Sequence, residues 1–387
     1  MNGFPKKLEK RLKDREDNMA LRSLSEQAAV IDFASNDYIG FSSSKLIFDN
    51  THKSLIEKGI HQNGATGSRL LSGNHPLYVE TETMLTTFHN AEAALIFNSG
   101  YDANVGFFSS VPQRGDIILY DEFIHASIRD GIKMSNARSY KFNHNDIDDL
   151  KQRLQQTREN KKSSSEPLEV YVVTESVFSM DGDTPDLGAF STFCKENKCQ
   201  LIIDEAHATG VFGDNGVGLV QQLGLEDNVF ARIHTFGKAM GCHGAAILGS
   251  SELKSYLVNF ARSFIYTTGL PPHSLVTIQT ALIELQTTLE IEKLKQNILF
   301  FQQKLEETKQ RSLFIESNSA IHCCVISGNE RIKKIASQIQ EKGFDVKPIM
   351  SPTVPDGKER LRFCLHSYNT KEELAEVLEL LATFTKN

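Results

Sequence analysis

Between about Ala93 and Leu248 the chain repeats one pattern, a short apolar run that breaks at small or polar residues and gives way to a helix-like stretch. Ala93-Ala94-Leu95-Ile96-Phe97, Ile117-Ile118-Leu119-Tyr120, Val170-Tyr171-Val172-Val173, Leu201-Ile202-Ile203 and Val229-Phe230-Ala231-Arg232-Ile233 are such runs. Strands without polar alternation are buried on both faces, and helices between them supply the crossovers. The pattern therefore predicts a mostly parallel sheet with helices on both sides. Open sheets of this kind bind ligands at the carboxyl ends of their strands, so the residues that follow each run are where chemistry is expected.

The chain has 387 residues. That length predicts one large core and one smaller one. Past Ser274 a long apolar periodicity through Leu282, Leu285, Leu289 and Leu299 reads as helix joining the two. The remainder mixes strands such as Cys323-Cys324-Val325-Ile326 and Leu361-Arg362-Phe363-Cys364-Leu365 with helices, the last opened by the capping-box pattern Thr370-Lys371-Glu372-Glu373. The expected division is 1–45, an N-terminal helix and strand segment; 46–273, a large ligand-binding domain; and 274–387, a small α+β domain. Leu8 to Leu24 reads as an exposed amphipathic helix, and Gln155 to Glu169 as an exposed loop.

A net charge of -7 without a basic stripe disfavours nucleic acid. No apolar stretch is long enough to span a bilayer, and the start lacks an apolar signal core, so a cytoplasmic protein is expected. Cys194, Cys199, Cys242, Cys323, Cys324 and Cys364 lack the paired spacing of a zinc site; no metal is expected, and the thiols read as reduced. Cys242, close to Lys238, could be accessible.

Two strand ends carry the strongest chemistry. Leu201-Ile202-Ile203 ends in Asp204, with His207 three residues on, and His234-Thr235-Phe236-Gly237-Lys238-Ala239-Met240-Gly241 sets a lysine among small residues where something flat could lie. Desolvation lowers a lysine pKa and yields the amine that Schiff-base chemistry needs. Pyridoxal phosphate asks for a carboxylate at its pyridinium nitrogen, a donor near its ring hydroxyl and a lysine at its aldehyde carbon. Asp204, His207 and Lys238 can supply them. Singly, each also reads as a strand-end cap, a loop histidine or an ordinary lysine.

Further segments join these in order along the chain: Phe33 to Gly40, Gly64 to Arg69, Ser99-Gly100-Tyr101, Asp121 to Ser127, Thr174 to Asp183, Asp204 to Gly210, Thr235 to Gly241 and Arg360-Leu361-Arg362. Together they resemble the α-oxoamine synthases, a branch of the fold-type I pyridoxal phosphate enzymes, and most closely its oxononanoate synthases. The resemblance implies a large domain with a mostly parallel seven-stranded sheet, a small α+β domain, and a homodimer with shared active sites. It implies that Gly100, Tyr101 and Thr235 meet the cofactor phosphate, and that Thr267 and Thr268 reach the phosphate of the neighbouring subunit. His125 is expected to stack on the ring and contact substrate groups, Ser179 to reach the ring-hydroxyl side, and Asp204, His207 and Lys238 to act as above. Arg22, Asn36, Thr353 and Arg362 are expected to meet substrate, Arg362 through the amino-acid carboxylate, for which a guanidinium fork is suited. Arg360 reads as a solvated neighbour.

The implied reaction is a decarboxylating condensation of an amino acid with an acyl thioester, carried by CoA or acyl-carrier protein. Arg22 in its Ala-Leu-Arg setting and Gly244-Ala245-Ala246 resemble the oxononanoate synthases more than the sister synthases, a resemblance that implies L-alanine and a pimeloyl thioester. Leu365 to Asn369 and Cys242-His243 depart from that branch where they would reshape the acyl pocket, which leaves a different acyl chain or carrier open; the sister glycine- and serine-using synthases are the alternative within the family. Outside the family, an aminotransferase would share Asp204, Lys238 and Arg362, and a non-catalytic dimeric paralogue is the remaining alternative.

Overall fold

The computed structural model describes residues 3–18, 21, 24, 31–159 and 168–386. Its contacts divide the chain into two compact units, Asn36–Ser179 with Asp183–Glu292, and Met1–Ser35 with Met180–Gly182 and Lys293–Asn387. The expected cuts after residues 45 and 273 thus fall instead after Ser35 and Glu292. Helix Pro272–Leu285 is one reason: it buries Leu275, Val276, Ile278, Leu282 and Leu285. It is also fastened to helices Lys45–Glu57 and Pro76–Phe88 of the larger unit by Thr51 donating to Thr280 (3.3 Å) and Gln279 to Thr81 (2.9 Å).

The larger unit is built on a seven-stranded sheet. In chain order its strands are β1 (Ala93–Phe97), β2 (Ile117–Asp121), β3 (Arg138–Phe142), β4 (Val170–Glu175), β5 (Gln200–Asp204), β6 (Ala231–Thr235) and β7 (Ala245–Gly249). Their spatial order is β1-β7-β6-β5-β4-β2-β3. All neighbours are parallel except those of β7, which runs antiparallel to both β1 and β6. The reversal follows from a short connection: Phe236 to Gly244 turns the chain straight back, so β6 and β7 pair directly and Lys238 lies in the bend. Phe236 N–H donates to Gly244 (2.9 Å) and Cys242 N–H to Phe236 (2.7 Å), closing the bend. Gly241 adopts a φ of 60°, and a Cβ there would overlap the backbone of Phe41 and Ser42.

The apolar runs form the core: Leu95, Phe97, Ile118, Val173, Ile202, Ile233 and Ile247 pack with Phe107 and Phe108 from helix Gly100–Ser110. Each such side chain contributes about 1.5–3 kcal/mol on burial. The core fixes the register, and the register aligns the strand ends. Glu175 pairs with Asp204, Asp204 with Ile233, and Asp121 with Phe142.

The smaller unit holds a three-stranded antiparallel sheet, in the order Lys347–Ile349, Arg360–Cys364, Ile321–Val325. Strand Ile31–Asp32 pairs in parallel with Phe344–Asp345. Helix Lys371–Thr385 begins with the expected capping box, Thr370 and Glu373 each satisfying the other's backbone N–H. The N-terminal helix spans Lys6–Asp17 with no residue buried, and most of the expected span beyond Asn18 lies outside the described residues. Arg360 is not solvated: it is 4% exposed, pairs with Asp181 and donates to the Met180 carbonyl (3.2 Å). Its guanidinium fills a buried position that an unpaired charge could not occupy.

Candidate active site

Lys238 is half-buried, and its Nζ stands 2.9 Å from His207 Nε2. The other imidazole nitrogen, Nδ1, stands 2.7 Å from the hydroxyl of Tyr38, which donates to Asn36 Oδ1 at 3.0 Å. One tautomer satisfies the whole line. Lys238 donates to His207 Nε2, His207 Nδ1–H donates to Tyr38, and Tyr38 donates to Asn36. Tyr38 is fully buried and His207 is 5% exposed, so the imidazole has little freedom to turn.

A second line starts at Asp204, where β5 ends. One carboxylate oxygen accepts from the Ala206 N–H (2.9 Å) and the other from Asn104 Nδ2 (2.9 Å). Asn104 lies on helix Gly100–Ser110 and also donates to Ser127 Oγ at 3.0 Å. Ser127 Oγ is 2.7 Å from His125 Nδ1, which also accepts from the Ser127 N–H at 3.2 Å. The histidine caps helix Ala126–Met134 and keeps much of its own surface open. It nevertheless stands in a recess deep enough that desolvation, reinforced by Lys238 and opposed by Asp204, holds its pKa below the ordinary histidine value. A neutral ring accepting at Nδ1 is what this geometry requires. Glu175 pins the same residue from below, accepting the His125 backbone N–H at 2.5 Å. Burial, together with the Asp204 charge, drives the Glu175 pKa well above the carboxylate range.

The third element is the start of helix Gly100–Ser110. Ser99 Oγ accepts the Asp102 N–H (3.0 Å). That leaves the amides of Gly100 and Tyr101 as the ones an anion at this helix start would meet. A Cβ on Gly100 would sit 3.4 Å from Thr235 Oγ1, so the glycine keeps the space beside that hydroxyl open. Asn98 Nδ2 donates to Thr267 Oγ1 (3.0 Å) and to the Thr268 carbonyl (2.6 Å), which brings both threonines beside this turn within a single chain. The Tyr101 side chain points elsewhere, its hydroxyl donating to Asp130 at 3.0 Å.

The larger unit thus brings together Asn36, Gly100, Tyr101, His125, Asp204, His207, Thr235, Lys238, Thr267 and Thr268, with half-buried Ser179 following β4. Thr353 and Arg362 belong to the smaller unit, Thr353 exposed and Arg362 buried on strand Arg360–Cys364. Arg22 lies outside the described residues. Sequence reasoning left Tyr38, Asn104, Ser127 and Glu175 without a role. Asn104 was within reach of it, because residues four apart on a helix share a face and Gly100 had already been singled out. Cys242 alone among the six cysteines keeps part of its surface open; its Sγ donates to the Met240 carbonyl (3.0 Å), and desolvation pushes the thiol up to about 12.

The donor set fits pyridoxal phosphate: an amine, a doubly hydrogen-bonded carboxylate, a histidine of fixed tautomer, and a helix start cleared by glycine. The model of the aminotransferase class I and II family matches residues 28–381. An 8-amino-7-oxononanoate synthase from Emericella nidulans is 41% identical, over 97% of this chain and 95% of its own. One from Lysinibacillus sphaericus is 35% identical, over 92% and 88%. Among solved structures, a Sphingomonas wittichii serine palmitoyltransferase superposes with a TM-score of 0.87 at 26% identity, covering 98% of this chain and 97% of its own. An 8-amino-7-oxononanoate synthase from Francisella tularensis gives 0.75 at 29%, covering 92% and 98%. The chain belongs to the aminotransferase class I and II family and, within it, to the α-oxoamine synthases, as a pyridoxal phosphate-dependent acyltransferase of fold type I.

Proposed function

We propose that this enzyme condenses L-alanine with a pimeloyl thioester, of CoA or acyl-carrier protein, to give 8-amino-7-oxononanoate, carbon dioxide and free thiol, in biotin synthesis. The observation that carries this reading is the 41% identity, over nearly all of both chains, to a relative of that name. Lys238 would hold the cofactor at its aldehyde carbon, and the same amine, when not so engaged, would be the base for the substrate's α-proton. His207 Nε2, 2.9 Å away, orients Nζ for both tasks. When bound, the cofactor offers the α-carbon's electron pair a conjugated cationic ring. Asp204 would meet the ring nitrogen and keep it protonated, with Asn104 holding that carboxylate in place. The α-carbon attacks the thioester carbonyl, the carbon–sulfur bond breaks and the thiol leaves. The bond to the carboxylate then breaks, carbon dioxide departs, and Lys238 returns a proton to the α-carbon.

His125 would cover the ring and, with Nδ1 accepting from Ser127, would present its other nitrogen to the acyl carbonyl. Gly100, Tyr101 and Thr235 would meet the phosphate, Thr267 and Thr268 would reach the phosphate of the neighbouring subunit of a homodimer, and Ser179 and His207 would stand on the ring-hydroxyl side. Arg22, Asn36, Thr353 and Arg362 contact substrate. Asn36 has a further part, as the acceptor that fixes Tyr38 and through it His207.

No helix among the described residues is long and apolar enough to cross a membrane. A cytoplasmic enzyme accords with that. The fold likeness to a serine palmitoyltransferase favours one alternative, a sister synthase that takes serine or glycine. Offering L-alanine, glycine and L-serine in turn with pimeloyl-CoA, and measuring thiol release, separates the two: release selective for alanine is expected. Release selective for glycine or serine would replace the proposed substrate.

A further inference from the structure

Two loops at the carboxyl edge of the sheet carry site residues: one leaves β2 at Asp121 and leads to His125, and the other leaves β4 at Glu175 and leads to Ser179. Neither is regular structure. His144, in the turn after β3, stands between them. Its Nδ1 is 2.9 Å from Asp121 Oδ1 and 3.1 Å from Oδ2, while its Nε2 is 2.7 Å from Asp183 Oδ2. Asp121 is fully buried; its carboxylate also accepts the Phe123 N–H at 2.8 Å, at the start of the His125 loop. The carbonyl of Asp183 accepts the Phe178 N–H at 3.0 Å, one residue before Ser179. The imidazole is also wedged between ring partners from both loops, Phe123 with centroids 4.4 Å apart and Phe178 at 4.5 Å.

Asn145 repeats the bridge. Its backbone N–H donates to Asp121 Oδ2 and its side chain to Asp183 Oδ2, at 2.8 and 2.7 Å. To do so it takes a φ of 54°, a conformation asparagine tolerates better than most residues. Two consecutive residues therefore make the same pair of connections, one of them from an unfavourable backbone conformation.

We propose that His144 is a positioning residue, an imidazolium staple that ties the loop carrying His125 to the loop carrying Ser179 through Asp121 and Asp183. A ring nitrogen that faces a carboxylate must donate, and here both do, so both carry protons. Burial opposes the charge, but the hydrogen bonds and charges of Asp121 and Asp183 outweigh it and push the His144 pKa up to about 9. The staple sets where His125 and Ser179 stand without touching cofactor or substrate. The proposal rests on reading those two residues as cofactor contacts.

The test uses the full chain with His144→Ala. Hydrogen–deuterium exchange of the cofactor-free protein should quicken about tenfold or more in both 122–127 and 176–179, and the cofactor dissociation constant, read by absorbance, should rise by a similar factor. Added imidazole, which carries two N–H donors when protonated, should reverse both effects. 1-Methylimidazole, which carries one, should not. Equal rescue by the two would make His144 a space-filler and overturn the proposal, as would quickened exchange in one loop alone or in neither. Quickened exchange with unchanged cofactor affinity would overturn it through the cofactor assignments instead. None of these readouts involves the acyl substrate, so a wrong choice of alanine or pimeloyl leaves them intact. Should the variant fail to fold, nitrogen-15 NMR of the wild-type histidines at pH 7.5 decides: two protonated His144 nitrogens support the staple, and a neutral ring refutes it.

Discussion

Asn104→Ala is the sharpest probe of how this site is held. The side chain is 2% exposed and donates through one nitrogen to the Asp204 carboxylate and to Ser127. A hydrogen bond to a charged group contributes about 1.5–3 kcal/mol and one to a neutral hydroxyl about 0.5–1.5 kcal/mol. Two terms offset part of this in the stability of the cofactor-free protein. Alanine is the better helix former by up to ~0.7 kcal/mol, and the variant discards Asn104 Oδ1, which is buried without a partner among the described residues. Cofactor affinity has no such offset. Asp204 loses the donor that aims it, and Ser127, which holds His125 Nδ1, loses its own support. If about 2 kcal/mol of the lost interaction is expressed at the ring, the dissociation constant rises roughly 30-fold. Absorbance titration of the cofactor-free variant against the wild type measures this, at a pH where both are folded. Affinity within about threefold of wild type would refute the argument that Asn104 sets the Asp204 carboxylate.

Lys238→Ala should abolish turnover and the absorbance of lysine-attached cofactor while leaving the fold intact by circular dichroism, and residual condensation would remove Lys238 from the mechanism. Glu205 offers a pH test. Burial, against the pull of the Val220 and Leu219 N–H groups, Arg232 and Ser176, raises its pKa from 4.5 to about 7. A raised folded-state pKa means the folded protein holds the extra proton. The associated stability is therefore full below about pH 4.5 and is lost as the pH climbs through 7, with a slope of at most ~1.4 kcal/mol per pH unit. Glu205→Gln should flatten that slope in denaturation midpoints between pH 4.5 and 7; equal slopes for variant and wild type would show that Glu205 ionises normally.

Much of the larger unit was legible because most of its strands are buried on both faces and announce themselves as apolar runs; edge strand Arg138–Phe142, exposed at four of its five residues, does not. The boundary at Glu292 was not, since helix Pro272–Leu285 is apolar enough to serve either core and only its partners, Thr51 and Thr81, decide. Asp204 and Lys238 stood out because each interrupts an apolar or small-residue run. Tyr38, Asn104 and His144 did not, because each acts through a partner distant in sequence: His207 for Tyr38, Asp204 for Asn104, Asp183 for His144. Arg360 misled for the same reason, since nothing local to it signals the buried pairing with Asp181.

The central claim is the condensation itself, and the most direct measurement of it follows carboxyl-labelled L-alanine with pimeloyl-CoA on the cofactor-loaded enzyme. The account predicts labelled carbon dioxide, free thiol and a product of the mass of 8-amino-7-oxononanoate in equal amounts. Label retained in a keto acid, with no thiol released, would contradict it.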